Sequence, residues 1–188
     1  MTDVQESGSR ARTRQAILDA AIEVLARNPA APLGDVAAAA NVGRTTLHRY
    51  FAERADLIAA LRAEAVDRVR RASARARVAD GTGAAAIRRL CQEYFDLGDI
   101  LSLIFNGQLL LTDADWQRAA ESDADFVDMI ERGHRDGTVD PELPALWIQS
   151  LIWSQLYAGW SYIGDQRVSR HEALRLILRS IEGAVSAR

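Results

Sequence analysis

The stretch "NVGRTTLHRYF", residues 41–51, decides how the chain is read. Asn41-Val42-Gly43 is a turn, with Gly43 expected to take the left-handed or strained backbone that glycine tolerates. The residues after it form a short helix with Leu47 and Phe51 available to a core. Arg44, Thr45, His48 and Arg49 are left on the opposite side. The helix before the turn is "LGDVAAAA", residues 33–40, a run of strong helix formers in which Val36 and Ala37 face the same small core as Val42, Leu47 and Phe51. Upstream, Ile17, Ala21, Val24 and Leu25 recur at helical spacing, giving an amphipathic helix over 10–28 that "NPAAP" stops at 28–32. Two short helices joined by a tight turn behind a third match a helix-turn-helix.

The charge of the chain is divided. Its 188 residues carry a formal net charge of -3. Residues 1–79 hold 13 Arg against 9 Asp and Glu, and residues 80–188 hold 10 Arg against 17. A basic N-terminal part on an acidic C-terminal part implies separate tasks. Apolar residues make up 48% of the chain, enough for a core. Cys91, the one cysteine, has no disulfide or thiolate partner and reads as a small buried hydrophobe in a reducing compartment. The longest apolar stretches, "ILSLIF" and "LIWSQLYAGW", fall short of the roughly 20 residues of a membrane span. No N-terminal stretch resembles a signal peptide, so a soluble, cytoplasmic protein is expected.

The rest of the chain reads as helix. A long one is expected over 52–78, with Leu57, Leu61, Ala65 and Val69 on one face. After the "ADGTG" break at 79–83, helices are expected at about 83–97, 99–111, 114–136, 142–164 and 169–187. No segment alternates with period two, so the fold class is all-α, about nine helices. Residues 1–9 are polar, contain Gly8 and are expected to be a disordered arm.

A helix of this kind fits the major groove, where Arg pairs with guanine and Thr offers a hydroxyl and a methyl. Arg10, Arg12 and Arg14 precede the first core residues and are placed to touch phosphates or enter the minor groove.

The run "LGDVAAAANVGRTTLHRYFAERADLIAAL" resembles the DNA-binding signature of TetR-family transcriptional regulators. The resemblance covers about residues 12–62 and rests on Val36-Ala37, Ala40, Val42-Gly43, Thr46-Leu47, Tyr50-Phe51 and Leu57. It departs from the family's pattern at four places. Pro32 stands where Thr often caps the second helix, Gly43 where Ser is common, His48 where Tyr is common, and Arg54 where Lys is common.

What the resemblance implies is specific. Residues 10–53 are a DNA-binding domain and 54–188 a larger helical domain for effector binding and dimerisation. Arg44, Thr45 and Arg49 are implied at or near bases, and Thr46, His48, Tyr50 and Arg54 at phosphates. The partners implied are double-stranded operator DNA, a second copy of the chain paired through the last two helices, and a small effector. The function implied is a repressor released from DNA by that effector. The alternative is a helical small-molecule- or partner-binding protein that no longer binds DNA.

For dimerisation, Ser150, Ser154, Ala158 and Ser161 make a strip of small residues that lets helices approach closely. The last helix adds Leu174, Ile177, Leu178, Ile181 and Val185 as an apolar stripe. For the effector pocket, Tyr94, Phe105, Gln108, Trp116, Phe126, Trp153 and Tyr157 combine apolar bulk with polar handles, which favours a small apolar effector.

Catalysis finds no such support. Gly81-Thr82-Gly83 loosely matches a dinucleotide fingerprint, but an Arg-rich helix precedes it instead of a strand, and Thr82 reads better as the start of the next helix. Glu131 and His134 have the spacing of a di-iron ligand pair with no second pair to complete it, and His48, His134 and His171 are scattered. No enzyme activity, metal or cofactor is expected.

Overall fold

The computed structural model describes residues 2–105 and 123–187. Among the described residues there are nine helices and no strand. They are α1 (Thr2–Arg27), α2 (Leu33–Ala39), α3 (Arg44–Tyr50), α4 (Arg54–Ala76), α5 (Gly83–Phe95), α6 (Asp99–Phe105), α7 (Asp123–Arg135), α8 (Ala145–Gln166) and α9 (Arg170–Val185).

The described residues of 1–65 and 99–111 form one compact unit. Its buried apolar side chains include Ile17, Leu18, Ala21, Ile22 and Leu25 of α1, Val36 and Ala37 of α2, Leu47, Phe51, and Leu57 and Leu61 of α4. Burying each large one contributes about 1.5–3 kcal/mol. α1 packs on α2, α2 on α3, and α6 on α1. The unit therefore extends past the expected boundary at residue 53, into α4 as far as Ala65, and takes in α6 with its buried Ile100, Leu101 and Leu103.

Two local expectations need correction. The stretch 1–9, expected to be disordered, is helical from Thr2 onward. One glycine costs a helix only about 1 kcal/mol, and a helix already anchored by buried residues extends at one hydrogen bond per residue. In the turn, Asn41 and not Gly43 takes the left-handed conformation, at φ 53°. Asparagine tolerates that region because its short polar side chain bonds locally. Gly43 is extended, at φ -69° and ψ 150°, and stands as the N-cap of α3.

The described residues of 66–98 and 112–188 form the second unit. α5 packs against α7, α8 and α9, and α8 against α9. Close approach is built in by glycine. A Cβ on Gly83 would lie 2.2 Å from the Gly133 Cα, and one on Gly159 would lie 2.3 Å from the Ile177 Cδ1. Cys91 is buried, and that burial pushes its thiol up to about 12. It stays a protonated, apolar side chain, as expected.

The loop before α5 is held by two guanidiniums. Arg89 donates to the carbonyls of Ala76, Arg77 and Asp80, and Arg132 to those of Val78 and Gly81. Thr82 caps α5 by accepting from the Ala85 N–H, as expected. The turn after α7 completes the cap. Asp136 accepts from the Gly83 N–H at 2.9 Å, and Thr138 Oγ1 accepts from the Ala84 N–H at 3.1 Å. The Thr138 hydroxyl, and then the Gly83 and Thr138 backbone N–H groups, hold the Asp136 carboxyl below the usual carboxylate range.

Candidate nucleic-acid interface

α3 has one face in the core and one in solvent. Leu47 is 1% exposed and Phe51 3%. Arg44, Thr45, His48 and Arg49 are exposed, and Thr46 and Tyr50 are half-buried. The N-terminus of α3 carries no side-chain cap, because Gly43 has none to offer. Its first N–H groups remain directed outward, where they favour a phosphate.

Each polar side chain on this face is set by a neighbour. The Arg44 guanidinium lies over Gly34, where a Cβ would come within 3.1 Å of it. Pro32, Leu33, Leu47 and His48 complete a shallow groove of about 200 Å³ around it. His48 Nδ1 is 3.1 Å from the Ala52 carbonyl oxygen. That carbonyl only accepts, so Nδ1 carries a hydrogen and Nε2 is the atom offered outward. Arg49 lies 5.8 Å from the centre of the Tyr50 ring, and Arg10 of α1 lies 5.9 Å from it. Arg14 lies 5.6 Å from the centre of the Phe51 ring. Arg10 and Arg14 are one helical turn apart on α1, so both reach the C-terminal end of α3. Arg12 projects from another face of α1 and lies 3.6 Å from the position of a Cβ on Gly8.

Arg54 has partners within the chain. Its guanidinium donates to the Ala31 carbonyl at 2.7 Å and to the Pro29 carbonyl at 2.6 Å. It ties the start of α4 to the loop between α1 and α2. Pro32 caps α2 with extended backbone only, and Asp35 in the first turn complements the helix dipole.

Comparison with known proteins agrees with this geometry. The family model described as bacterial regulatory proteins, tetR family, matches residues 17–61. The HTH-type transcriptional repressor LfrR of Mycolicibacterium smegmatis is 40% identical over 180 residues, which cover 96% of this chain and 94% of LfrR. This chain belongs to the TetR family. The crystal structure of LfrR from Mycobacterium smegmatis in complex with proflavine matches with a TM-score of 0.76 at 36% identity, covering 92% of this chain and 96% of that one. A TetR family regulator from Marinobacter aquaeolei VT8 matches with a TM-score of 0.72 at 18% identity over 98% of this chain and 100% of that one, a likeness of fold. The protein is thus a DNA-binding transcriptional regulator of a family that is not enzymatic, and no helix among its described residues is long and apolar enough to cross a membrane.

Of the regulator's expected pocket residues, Tyr94, Phe126, Trp153 and Tyr157 lie in the second unit. Tyr94 and Trp153 stack at 4.9 Å, and the Tyr94 hydroxyl is 2.9 Å from Ser73 Oγ. Phe126 is buried in the same unit. Tyr157 is 49% exposed, on α8, which also exposes Tyr162. Phe105 belongs to the other unit, and Gln108 and Trp116 lie outside the described residues. A cavity of about 450 Å³ opens beside Ser73, lined by Arg70, Ala74, Arg77, Val78, Asp80 and Asp125 among others. Sequence reasoning missed Ser73, whose only signal was one hydroxyl in an Arg- and Ala-rich helix.

The dimer residues divide as well. Ser150, Ser154 and Ala158 are exposed and Ser161 half-buried, with exposed Leu146, Trp147, Tyr157 and Tyr162 on the same helix. Ser150 and Ser154 donate to the carbonyls of Leu146 and Ser150, so their hydroxyls are satisfied within α8. Ile177, Leu178 and Ile181 are at most 6% exposed in the single chain. Leu174 is half-buried. The stripe on α9 is filled by α8 and α5, which pack on it.

Proposed function

We propose that the regulator is a cytoplasmic, homodimeric repressor that reads operator DNA with α3 and is released by a flat aromatic effector. The observation that carries this reading is the division of α3. Leu47 lies in the core, while Arg44, Thr45 and Arg49 stand exposed on the outer face. Arg44, Thr45 and Arg49 are assigned to base edges. Thr46, His48, Arg10, Arg12 and Arg14 are assigned to the backbone or the flanking minor groove. His48 donates from Nε2 to a phosphate only as the charged ring, since Nδ1 already holds the neutral ring's one hydrogen. Repression and the effector class draw support from LfrR, named a repressor and crystallised with proflavine, a flat aromatic cation. The Tyr94–Trp153 stack supplies aromatic surface suited to such a ligand. For the second copy, the exposed aromatic and small-residue face of α8 offers a dehydratable surface.

Binding to the DNA upstream of the regulator's own gene tests the reading. Arg44→Ala with Arg49→Ala is expected to weaken it by about 2–6 kcal/mol, since each good base contact is worth roughly 1–3 kcal/mol. Wild-type affinity is expected to fall steeply with salt as phosphate contacts release counterions. Equal affinity in the double variant, or a flat salt titration, rejects α3 as the reading helix.

A further inference from the structure

We infer that Tyr50 is a positioning residue that acts through the face of its ring, aiming Arg10 and Arg49 at the DNA, and not through a hydroxyl–phosphate bond. This rests on the DNA-reading role of α3 and deepens it. Tyr50 is the last residue of α3, half-buried, with Phe51 beside it packed in the core. Two guanidiniums from different helices share its ring, at 5.9 Å for Arg10 and 5.8 Å for Arg49. Both are exposed.

Physical reasons favour the ring over the hydroxyl. Two like charges drawn to one place repel each other. The negative face of an aromatic ring is the group here that attracts both without neutralising either. A carboxylate in its place would also gather them, but would cancel charge that DNA needs. An arginine side chain otherwise loses rotamer freedom when DNA orders it. Holding the guanidinium beforehand lowers that cost on binding. The same contact joins α1 to α3, so the phosphate-binding surface continues past the end of the short reading helix. Arg14 over the buried Phe51 repeats the arrangement one turn along α1.

The test compares Tyr50→Phe, which keeps the ring, with Tyr50→Leu, which removes it, and combines each with Arg10→Ala. Affinity for the DNA upstream of the gene and its salt slope are measured, with thermal unfolding to check the fold. Tyr50→Leu is expected to weaken binding about three- to fivefold for each guanidinium released, and the slope to fall by about 1 for each phosphate no longer neutralised. Tyr50→Phe restores both. Arg10→Ala weakens binding in the wild-type and Tyr50→Phe proteins and adds little in Tyr50→Leu. Equal weakening in Tyr50→Phe and Tyr50→Leu would identify the hydroxyl as the working group and overturn the inference. So would Arg10→Ala effects that simply add to those of Tyr50→Leu. If Tyr50→Leu does not fold, Tyr50→Phe decides: wild-type affinity and slope that still depend on Arg10 uphold the ring, and weakened affinity rejects it. Undiminished binding by the Arg44, Arg49 double variant would instead sink the reading of α3 itself.

Discussion

Glycine at two positions meets opposite demands, and substitution separates them. At Gly43 the backbone is extended and nothing lies within 4 Å of a Cβ. Gly43→Ser would place an accepting hydroxyl at an N-cap that has none, and is expected to stabilise the protein by a few tenths of a kcal/mol. At Gly83 the helices cross with backbone against backbone, 2.2 Å from the place of a Cβ. Gly83→Ala is expected to cost about 1–3 kcal/mol and lower the melting temperature by roughly 2–10 °C. Thermal unfolding of both variants checks the pair, and an unchanged Gly83→Ala protein would contradict the close crossing of α5 and α7. Neither assignment is legible from the letter G. Gly43 sits in a sequence that reads as a turn, yet Asn41 takes the left-handed conformation. Gly83 sits in a loose match to a dinucleotide fingerprint, yet its role is steric.

At the scale of elements, the stripes of α8 and α9 meet different surroundings. Spacing alone identified the small-residue strip of α8 and the apolar stripe of α9, because both are periodic within one helix. Periodicity does not say which neighbour fills a stripe. The α9 stripe is closed by α8 and α5, whereas α8 leaves Leu146 and Trp147 72% and 60% exposed. Two variants therefore diverge. Ser154→Arg is expected to convert the proposed dimer into a folded 20.7 kDa monomer, because a guanidinium on a dehydrated face has no partner. Ile177→Ala is expected to cost about 2–5 kcal/mol of stability while the folded fraction stays dimeric. Sedimentation with chemical denaturation separates these outcomes. A monomeric, fully stable Ile177→Ala protein would return α9's stripe to the interface.

For the molecule as a whole, reading DNA and sensing a ligand are one equilibrium. An effector shifts it only by binding one state more tightly than the other. Proflavine is a direct probe of the effector class. At a hundredfold its dissociation constant a ligand stabilises the folded protein by about 2.7 kcal/mol. The expected result is a raised melting temperature together with weaker operator binding, both reduced in Trp153→Ala. That variant, assayed on the same DNA, also controls for the affinity of a flat aromatic cation for DNA itself. Stabilisation by proflavine with operator affinity unchanged, or a full response from Trp153→Ala, would reject the Tyr94–Trp153 stack as the sensing surface.

The sequence alone determined the all-helical class, the place of the turn, and which side of α3 faces out. These follow from turn chemistry and from the spacing of apolar residues along single helices, which are local properties. The charge division of the chain pointed to the same end of the molecule. Only the tertiary structure decided that Arg54 bonds a loop, that Arg10 meets Tyr50, that Tyr157 is exposed on α8, and that Ile177 is buried in the single chain. Each of these depends on which segments, distant in sequence, come to share a surface, and an arginine or an aromatic suits several such surfaces about equally well.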